Sequence, residues 1–273
     1  MRFSERIKKV EISNIIQRDD MNQDLRNSLW NMFCFYLERD SHNNFAYGLQ
    51  KWLYFRLYKL PIDEIKQYYS NHFLKKVLLK DDWFIVYDML EETLAFLETN
   101  NPYRIVTKND FIRNCNIIFQ RENSAYRFVD EVITEITNED EIKSIEDGIN
   151  APLEKAGLHL KEALILLSNR AHPDYRNSIK ESISAVEAVC RHITGESTLD
   201  RALLKLKNKR IIIPDMLEDG MKKLYYFTNG EAGIRHALMD ESISIDFEEA
   251  KYMLVTCSAF VNYLNGKLSK VDK

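Results

Sequence analysis

The spacing of apolar residues predicts a mainly helical chain. From Asn22 to about Asn100, apolar residues recur every three or four positions, which places them on one face of an α-helix. This period runs through LRNSLWNMFCFYLE, FAYGLQKWLYFRLYKL and WFIVYDMLEETLAFLE, and further helices are predicted over 62–79 and 108–121. Three tryptophans fall within these stripes, so we interpret them as core residues and not as a ligand cage: Trp30, Trp52 and Trp83.

One short segment departs from the helical period. SAYRFVDEVITEIT (124–137) alternates in polarity and is rich in β-branched and aromatic residues, which predicts a two-stranded β-hairpin. Because an isolated hairpin is unstable, we expect it to pack on helices. The next stretch, NEDEIKSIEDGINAP (138–152), is acidic and contains a glycine and a proline. It predicts a boundary between a first domain over 1–149 and a second over 150–273.

The second half has the pattern of a bundle of four or five helices. In YRNSIKESISAVEAVCRHITG, one set of apolar residues forms a single stripe: Ile179, Ile183, Val186, Cys190 and Ile193. Gly195 follows this stripe at the position where a helix ends in a left-handed residue. Asp246 and Glu249 have the spacing of a capping box at the start of the last helix.

The composition is that of a globular helical chain, and it limits the functions that the chain can have. The 273 residues include only 8 glycines and 5 prolines, as expected for long regular segments. The formal net charge is -4, so binding of a nucleic acid would require a local basic patch. The four cysteines contain no C-x-x-C pair and are predicted to be buried thiols in a reducing cytosol. With no signal-peptide pattern and no long apolar run, we expect a cytoplasmic protein that does not associate with a membrane.

The common catalytic motifs are missing from the sequence. It contains no G-x-x-x-x-G-K-[ST], no G-x-G-x-x-G, no G-x-S-x-G and no H-E-x-x-H. Paired cysteine and histidine ligands of a structural zinc are also missing. The sequence therefore argues against an ATPase, and it predicts neither a metal nor a cofactor.

The remaining candidate for chemistry is GIRHALMDE (233–241), which lies between two predicted helices. No apolar period accounts for Arg235 or His236 in this segment. A guanidinium group matches the geometry of a phosphate, and an imidazole can transfer protons near neutral pH. His236 could deprotonate the 2′-hydroxyl of RNA while Arg235 stabilises the charge that develops on the phosphate. The alternative is a turn whose two basic residues have no chemical role.

A basic run precedes this segment. KLKNKR contains four cationic residues that could guide RNA toward such a site: Lys205, Lys207, Lys209 and Arg210. The alternative is a solvated helix end. Arg191 and His192 also lie at a helix end, where positive charge complements the helix dipole, so we interpret them as structural. His159 has no partner that the sequence identifies.

Both halves of the chain resemble a known family. HPDYRNSIKESISAVEAVCRHITG, STLDRALLKL, GIRHALMDE and EEAKYMLVTCSAFVNYL resemble the C-terminal HEPN-type helical domain of bacterial abortive-infection proteins of the AbiJ class. FSERIKKVEISNIIQRDDMNQDLRNSLWN and SAYRFVDEVITEIT resemble the N-terminal domain that accompanies HEPN in those proteins. The resemblance implies a mainly α fold, with an N-terminal helical domain that contains a small β-hairpin and a HEPN-like helical bundle after it.

The resemblance also implies a function. Many HEPN domains are metal-independent ribonucleases that dimerise, and abortive-infection members are thought to arrest an infected cell by damaging its RNA. By this resemblance, we expect an antiphage ribonuclease toxin that acts on RNA in the cleft of a homodimer formed by the C-terminal domain. The N-terminal domain would respond to a phage-derived trigger or restrain the nuclease.

The chain departs from the family's motif, in which an arginine precedes the histidine by several residues. The positions at that spacing before His236 hold Asn229, Gly230 and Glu231, and Arg235 is adjacent to the histidine instead. Arg235 would therefore have to act through a different geometry, with Asn229 as a hydrogen-bonding partner. Two alternatives remain: a non-catalytic HEPN module that binds RNA, a nucleotide or a protein, and a helical scaffold without a ligand.

Overall fold

A computed structural model describes Phe3 and residues 16–39, 44–99, 105–169, 172–229 and 245–271. Over these residues it contains eleven α-helices and a two-stranded antiparallel hairpin, which confirms the predicted mainly α class. Contacts divide the chain into two compact units, Met1–Thr137 and Asn138–Lys273. None of the helices described is both long enough and apolar enough to span a membrane.

In the described part of the first unit, five helices pack around an aromatic core. Its elements are α1 (Gln23–Glu38), α2 (Asn44–Leu53), α3 (Ser70–Lys80), α4 (Trp83–Thr99), α5 (Lys108–Arg121), β1 (Arg127–Val129) and β2 (Val132–Thr134). Side-chain caps start two of the helices, since Asn22 accepts from the backbone N–H of Leu25 and Thr107 accepts from that of Asp110. The largest fully buried side chains are phenylalanines: Phe33, Phe111, Phe119 and Phe128. The three tryptophans pack against this core and are only partly buried.

The predicted helix over 62–79 starts later than the sequence pattern suggests. A π-helical turn, Tyr54–Tyr58, extends α2, and Lys59 closes it in the left-handed conformation (φ 54°). A 3-10 turn, Gln67–Tyr69, then leads into α3 at Ser70. Ile62 stays exposed, so residues 62–66 have no apolar face whose burial would stabilise a helix.

The predicted hairpin is present, and it packs on helices as expected. Phe128 faces Ile133 across the strands, and Asp130 takes the left-handed conformation (φ 53°) that the tight turn requires. Asn116 on α5 accepts from the backbone N–H of Phe128 at 2.8 Å and donates to its carbonyl at 2.9 Å. Glu91 on α4 accepts from the backbone N–H of Ile133 at 2.7 Å. Side chains of α5 and α4 therefore form hydrogen bonds with the backbone of β1 and of β2, respectively.

The second unit is a helical bundle built around one long helix. Its elements are α6 (Glu139–Ile149), α7 (Glu154–Ser168), α8 (Tyr175–Thr194), α9 (Leu199–Leu206), α10 (Asp215–Asn229) and α11 (Phe247–Val271). α8 packs against α7, α9, α10 and α11, while α6 packs against α7 and α11. As predicted, Gly195 ends α8 in the left-handed conformation (φ 78°). The capping box is also present, because the N–H of Asp246 donates to Glu249 at 3.1 Å and that of Glu248 donates to Asp246 at 2.9 Å.

Gly157 allows the end of α6 to approach α7 closely. A Cβ atom at this position would lie 2.2 Å from the carbonyl oxygen of Ile149, so the backbone would have to move. We therefore expect Gly157→Ala to lower the free energy of unfolding by about 1–3 kcal/mol, as for other overpacked sites. Urea unfolding monitored by far-ultraviolet circular dichroism measures the change.

Gly266→Ala is the matched control for this prediction. Gly266 also lies within a helix, but a Cβ atom there meets nothing within 4 Å. Alanine should then stabilise α11 by about 0.5–1 kcal/mol through its higher helix propensity. Equal effects of the two substitutions would contradict the proposed clash at Gly157.

Candidate functional site

The predicted catalytic residues, Arg235 and His236, lie outside the described residues, as does the rest of GIRHALMDE. Asn229, their predicted hydrogen-bonding partner, is the last residue of α10. The segment follows α10 in the chain and precedes α11, which begins at Phe247. The elements that flank the predicted site in the chain and can be described are therefore α10 and α11.

The predicted RNA-binding residues occupy the end of α9 and the turn that follows it. A 3-10 turn, Lys207–Lys209, continues α9, and Arg210 ends the turn in the left-handed conformation (φ 61°). Lys205 forms an ion pair with Glu196, and Lys207 Nζ lies 3.1 Å from Asp215 Oδ1. Within the part of the chain that the structure describes, Lys209 and Arg210 have no carboxylate partner.

These ion pairs change the charge that the basic run presents. Two of its four cations are balanced by acidic groups, so the patch is weaker than the sequence alone indicates. Exposed pairs of this kind contribute little to stability, so a phosphate could still compete for the lysines. The assignment of all four residues to RNA binding stays a prediction.

Exposed apolar side chains flank the basic run along the chain. Ile211 and Ile213 are buried and anchor the segment, while Ile212 between them points outward. The same part of the second unit exposes three more large apolar side chains: Leu204, Met216 and Leu217. The surface around the basic run therefore exposes both cationic and apolar side chains.

A polar cluster that the sequence analysis missed joins α9 to α10. We define the α9–α10 cluster as Asp200, Glu218, Lys222 and Tyr226. Glu218 is only 4% exposed, and Lys222 Nζ donates to its Oε1 at 2.7 Å. The hydroxyl of Tyr226 donates to Asp200 Oδ2 at 2.8 Å. The pair of Glu218 and Lys222 is detectable from its spacing of four residues, but that of Asp200 and Tyr226 depends on packing.

Hydrogen bonds to carboxylates raise the pKa of both donors in this cluster. The bond to Glu218 raises the pKa of Lys222 above its ordinary value, and the bond to Asp200 raises the pKa of Tyr226. Both side chains therefore hold their protons at neutral pH. Lys222 is charged and Tyr226 is neutral, which makes them hydrogen-bond donors and not bases.

A second missed contact joins α7 to α8. His159 Nδ1 lies 2.6 Å from Glu181 Oε2, and both side chains are partly exposed. A carboxylate in this position fixes the orientation of the imidazole ring. The two residues are 22 positions apart, so no helical spacing could have revealed the pair. Over the described residues, no group of three or more His, Cys, Asp and Glu side chains could hold a metal ion.

The cysteines are free thiols in the structure. Cys115, Cys190 and Cys257 are buried, as predicted, whereas Cys34 is partly exposed. Burial raises the pKa of all four thiols, with Glu38 contributing to the shift at Cys34. None of them is therefore activated as a nucleophile at neutral pH.

Among known proteins, one family is similar to part of this chain. The chain matches the family model of AbiJ N-terminal domain 4 over residues 1–151. No curated protein and no solved structure matches the chain significantly.

Proposed function

Because the chain belongs to the family of proteins with an AbiJ N-terminal domain 4, we propose that it acts in abortive infection as a metal-independent ribonuclease toxin. The family match over residues 1–151 is the observation that carries the role in abortive infection. The ribonuclease activity rests on the resemblance of the second half of the chain to HEPN domains. Two further features support it: the helical bundle of the second unit and the exposed cations Lys209 and Arg210. A bundle is the architecture that a HEPN-like domain requires, and exposed cations attract a polyanion.

The proposed reaction needs one base and one cation. His236 accepts the proton of a ribose 2′-hydroxyl, and the 2′-oxygen attacks the adjacent phosphorus. The bond from phosphorus to the 5′-oxygen then breaks, and the leaving oxygen takes up a proton from water. The protonated His236 returns its proton to the solvent. Arg235, with Asn229 beside it, stabilises the negative charge of the transition state. The products are a 2′,3′-cyclic phosphate and a free 5′-hydroxyl.

We further propose that the active form is a homodimer of the C-terminal domain. A two-fold axis would bring two copies of the segment 233–236 into one cleft. Lys205, Lys207, Lys209 and Arg210 would guide RNA to that cleft, and the N-terminal domain would respond to a phage-derived trigger or restrain the nuclease.

Substitution of His236 tests the proposal in cells. Wild type, His236→Ala and Arg235→Ala are expressed with and without phage infection, and growth and total RNA are compared. We expect the wild type to stop growth and to produce RNA fragments with cyclic phosphate ends, and both variants to lose at least about tenfold of the cleavage.

His192→Ala is the matched control, because His192 is an exposed histidine at the end of α8. It should cleave RNA as the wild type does. Intact RNA and equal growth in wild type and His236→Ala, under both conditions, would rule out the ribonuclease.

The second candidate is a non-catalytic HEPN module that binds RNA, a nucleotide or a protein partner. One observation favours it: the missing arginine at the family's spacing before His236. Salt-sensitive binding of RNA by the purified protein, without cleavage, would support this candidate over the ribonuclease.

A further inference from the structure

A large groove runs between α1 and α5 in the first unit, with a volume of about 1040 Å³. Two contacts show that the helices are antiparallel along it. Arg121 Nη2 donates to Ser28 Oγ at 2.7 Å near one end, and Asn114 Nδ2 donates to the hydroxyl of Tyr36 at 2.9 Å further along. At the other end, Arg39 Nη1 lies 3.5 Å from the carbonyl oxygen of Ile105. We call this feature the α1–α5 groove.

Each wall of the groove is one regular face of a helix. Cys34 and Glu38 line the groove, and the six other lining residues of α1 and its C-cap recur at helical spacing: Ser28, Asn31, Met32, Phe35, Tyr36 and Arg39. Those of α5 do the same: Asp110, Arg113, Asn114, Ile117, Ile118 and Arg121. Each set spans twelve residues, or about 16 Å along the helix axis from the first to the last. The groove is therefore straight and long enough for about three turns of a third helix.

The groove exposes apolar side chains that the core of the unit does not use. Met32, Tyr36 and Ile118 are buried and form its floor. Phe35 is 65% exposed and Ile117 is 54% exposed, although both belong to residue types that proteins prefer to bury. Neighbouring exposed apolar groups in a concave surface mark a site of interaction.

Arginines are distributed along the same groove. Arg39, Arg113 and Arg121 line it, together with two carboxylates, Glu38 and Asp110. Arg113 Nη2 lies 2.6 Å from Asp110 Oδ1, in an exposed pair that contributes little to stability. Arg39 contacts a carbonyl at 3.5 Å, which is too long for a strong hydrogen bond. Arg121 is engaged as well, since its Nε lies 2.7 Å from Glu122 Oε1. Within the described residues Arg39 forms no ion pair, so it is the guanidinium group that is available to bind a partner's carboxylate in a bidentate manner, and Arg113 can exchange its exposed carboxylate partner.

We infer that the α1–α5 groove binds an acidic amphipathic helix of a partner protein. Two helices with a groove between them accept a third helix by ridge-into-groove packing, and the groove offers no sheet edge to an extended strand. Apolar residues of the partner would contact Phe35 and Ile117. Its acidic residues would contact Arg39 and compete with Asp110 for Arg113. This inference does not depend on the proposed ribonuclease, because the groove lies within the first unit.

The groove is less suited to single-stranded RNA. Stacking of bases requires exposed aromatic faces, and among the lining residues Phe35 is exposed whereas Tyr36 is buried. Glu38 and Asp110 would also repel phosphates. A peptide helix can place its own positive or neutral residues opposite these two carboxylates.

A designed peptide tests the inference on the full chain. The probe is a fluorescein-labelled helix of on the order of 16 residues, with leucines at i, i+3, i+4 and i+7 and glutamates elsewhere. Fluorescence anisotropy measures its binding. We expect Phe35→Glu, Ile117→Glu and Arg39→Glu each to weaken binding by about tenfold or more, since each removes a contact and adds a like charge.

Phe55→Glu is the matched control. Phe55 is 69% exposed in the same unit, but it lies in the π-helical turn and does not line the groove. It should leave binding unchanged, and circular dichroism should show that every variant is folded. His236→Ala should also bind the peptide normally, which separates this inference from the proposed nuclease.

Three results would overturn the inference. The first is no binding of the acidic peptide. The second is equal binding by wild type and Phe35→Glu. The third is equal or tighter binding, at the same residues, of the peptide with lysines in place of glutamates or of a single-stranded RNA oligonucleotide.

Discussion

Replacing Phe119 with alanine is expected to lower the free energy of unfolding of the first unit by about 3–5 kcal/mol. Phe119 lies on α5 and is fully buried. Its ring centroid is 5.5 Å from that of Tyr87 and 6.4 Å from that of Phe128. Because large neighbouring rings surround the site, it cannot collapse to fill the cavity that alanine leaves. The loss is a large part of the stability of a typical domain, so partial unfolding at 37 °C is expected.

Tryptophan fluorescence during urea unfolding measures this effect selectively, because all three tryptophans belong to the first unit. Phe119→Leu is the conservative control and should lose much less stability, since leucine fills most of the cavity. Phe84→Ala is the control for exposure, because Phe84 is 47% exposed. This substitution should lower the free energy of unfolding clearly less than Phe119→Ala does. Similar losses for Phe84→Ala and Phe119→Ala would show that Phe119 is not a central core residue.

The fold could be predicted where one local rule decided it. Apolar residues at helical spacing located α1, α4, α5 and α8 because burial of a single face is what stabilises each helix. The hairpin was predictable for the same reason, since alternation places one side of a strand on the core. The start of α3 could not be predicted from the sequence, because the exposure of Ile62 depends on tertiary packing and not on the local pattern of apolar residues.

The candidate sites were less predictable than the fold. His159 and Glu181 meet only because α7 packs against α8, and Asp200 and Tyr226 meet only because α9 packs against α10. The α1–α5 groove did leave a signal in the sequence. Phe35 lies between the apolar positions Phe33 and Leu37 and does not share their stripe. An aromatic residue outside the stripe of an amphipathic helix is a reason to look for a surface that binds a partner.

Replacing Lys222 with methionine is expected to lower the free energy of unfolding of the second unit by about 3 kcal/mol. Lys222 Nζ lies 2.7 Å from Glu218 Oε1, and the Glu218 side chain is only 5% exposed. Methionine keeps most of the side-chain volume but leaves the buried carboxylate without its counter-charge. Breaking a buried pair on one side costs about 3–5 kcal/mol, and we take the low end because Lys222 itself is partly exposed. Urea unfolding followed by circular dichroism gives the total change, and hydrogen exchange of α10 peptides locates it.

The double variant Glu218→Leu, Lys222→Met separates the cost of an unpaired carboxylate from the contribution of the pair. It removes both charges, so its stability should return to within about 1 kcal/mol of the wild type.

The pKa of Lys222 is raised by Glu218, so the stabilisation from the pair is fully present below pH 10.5 and is lost as pH rises through the folded-state value. The difference between wild type and Lys222→Met should therefore be constant at neutral pH and narrow at strongly alkaline pH. If Lys222→Met were as stable as the wild type at pH 7, the α9–α10 cluster would not hold α10 in place.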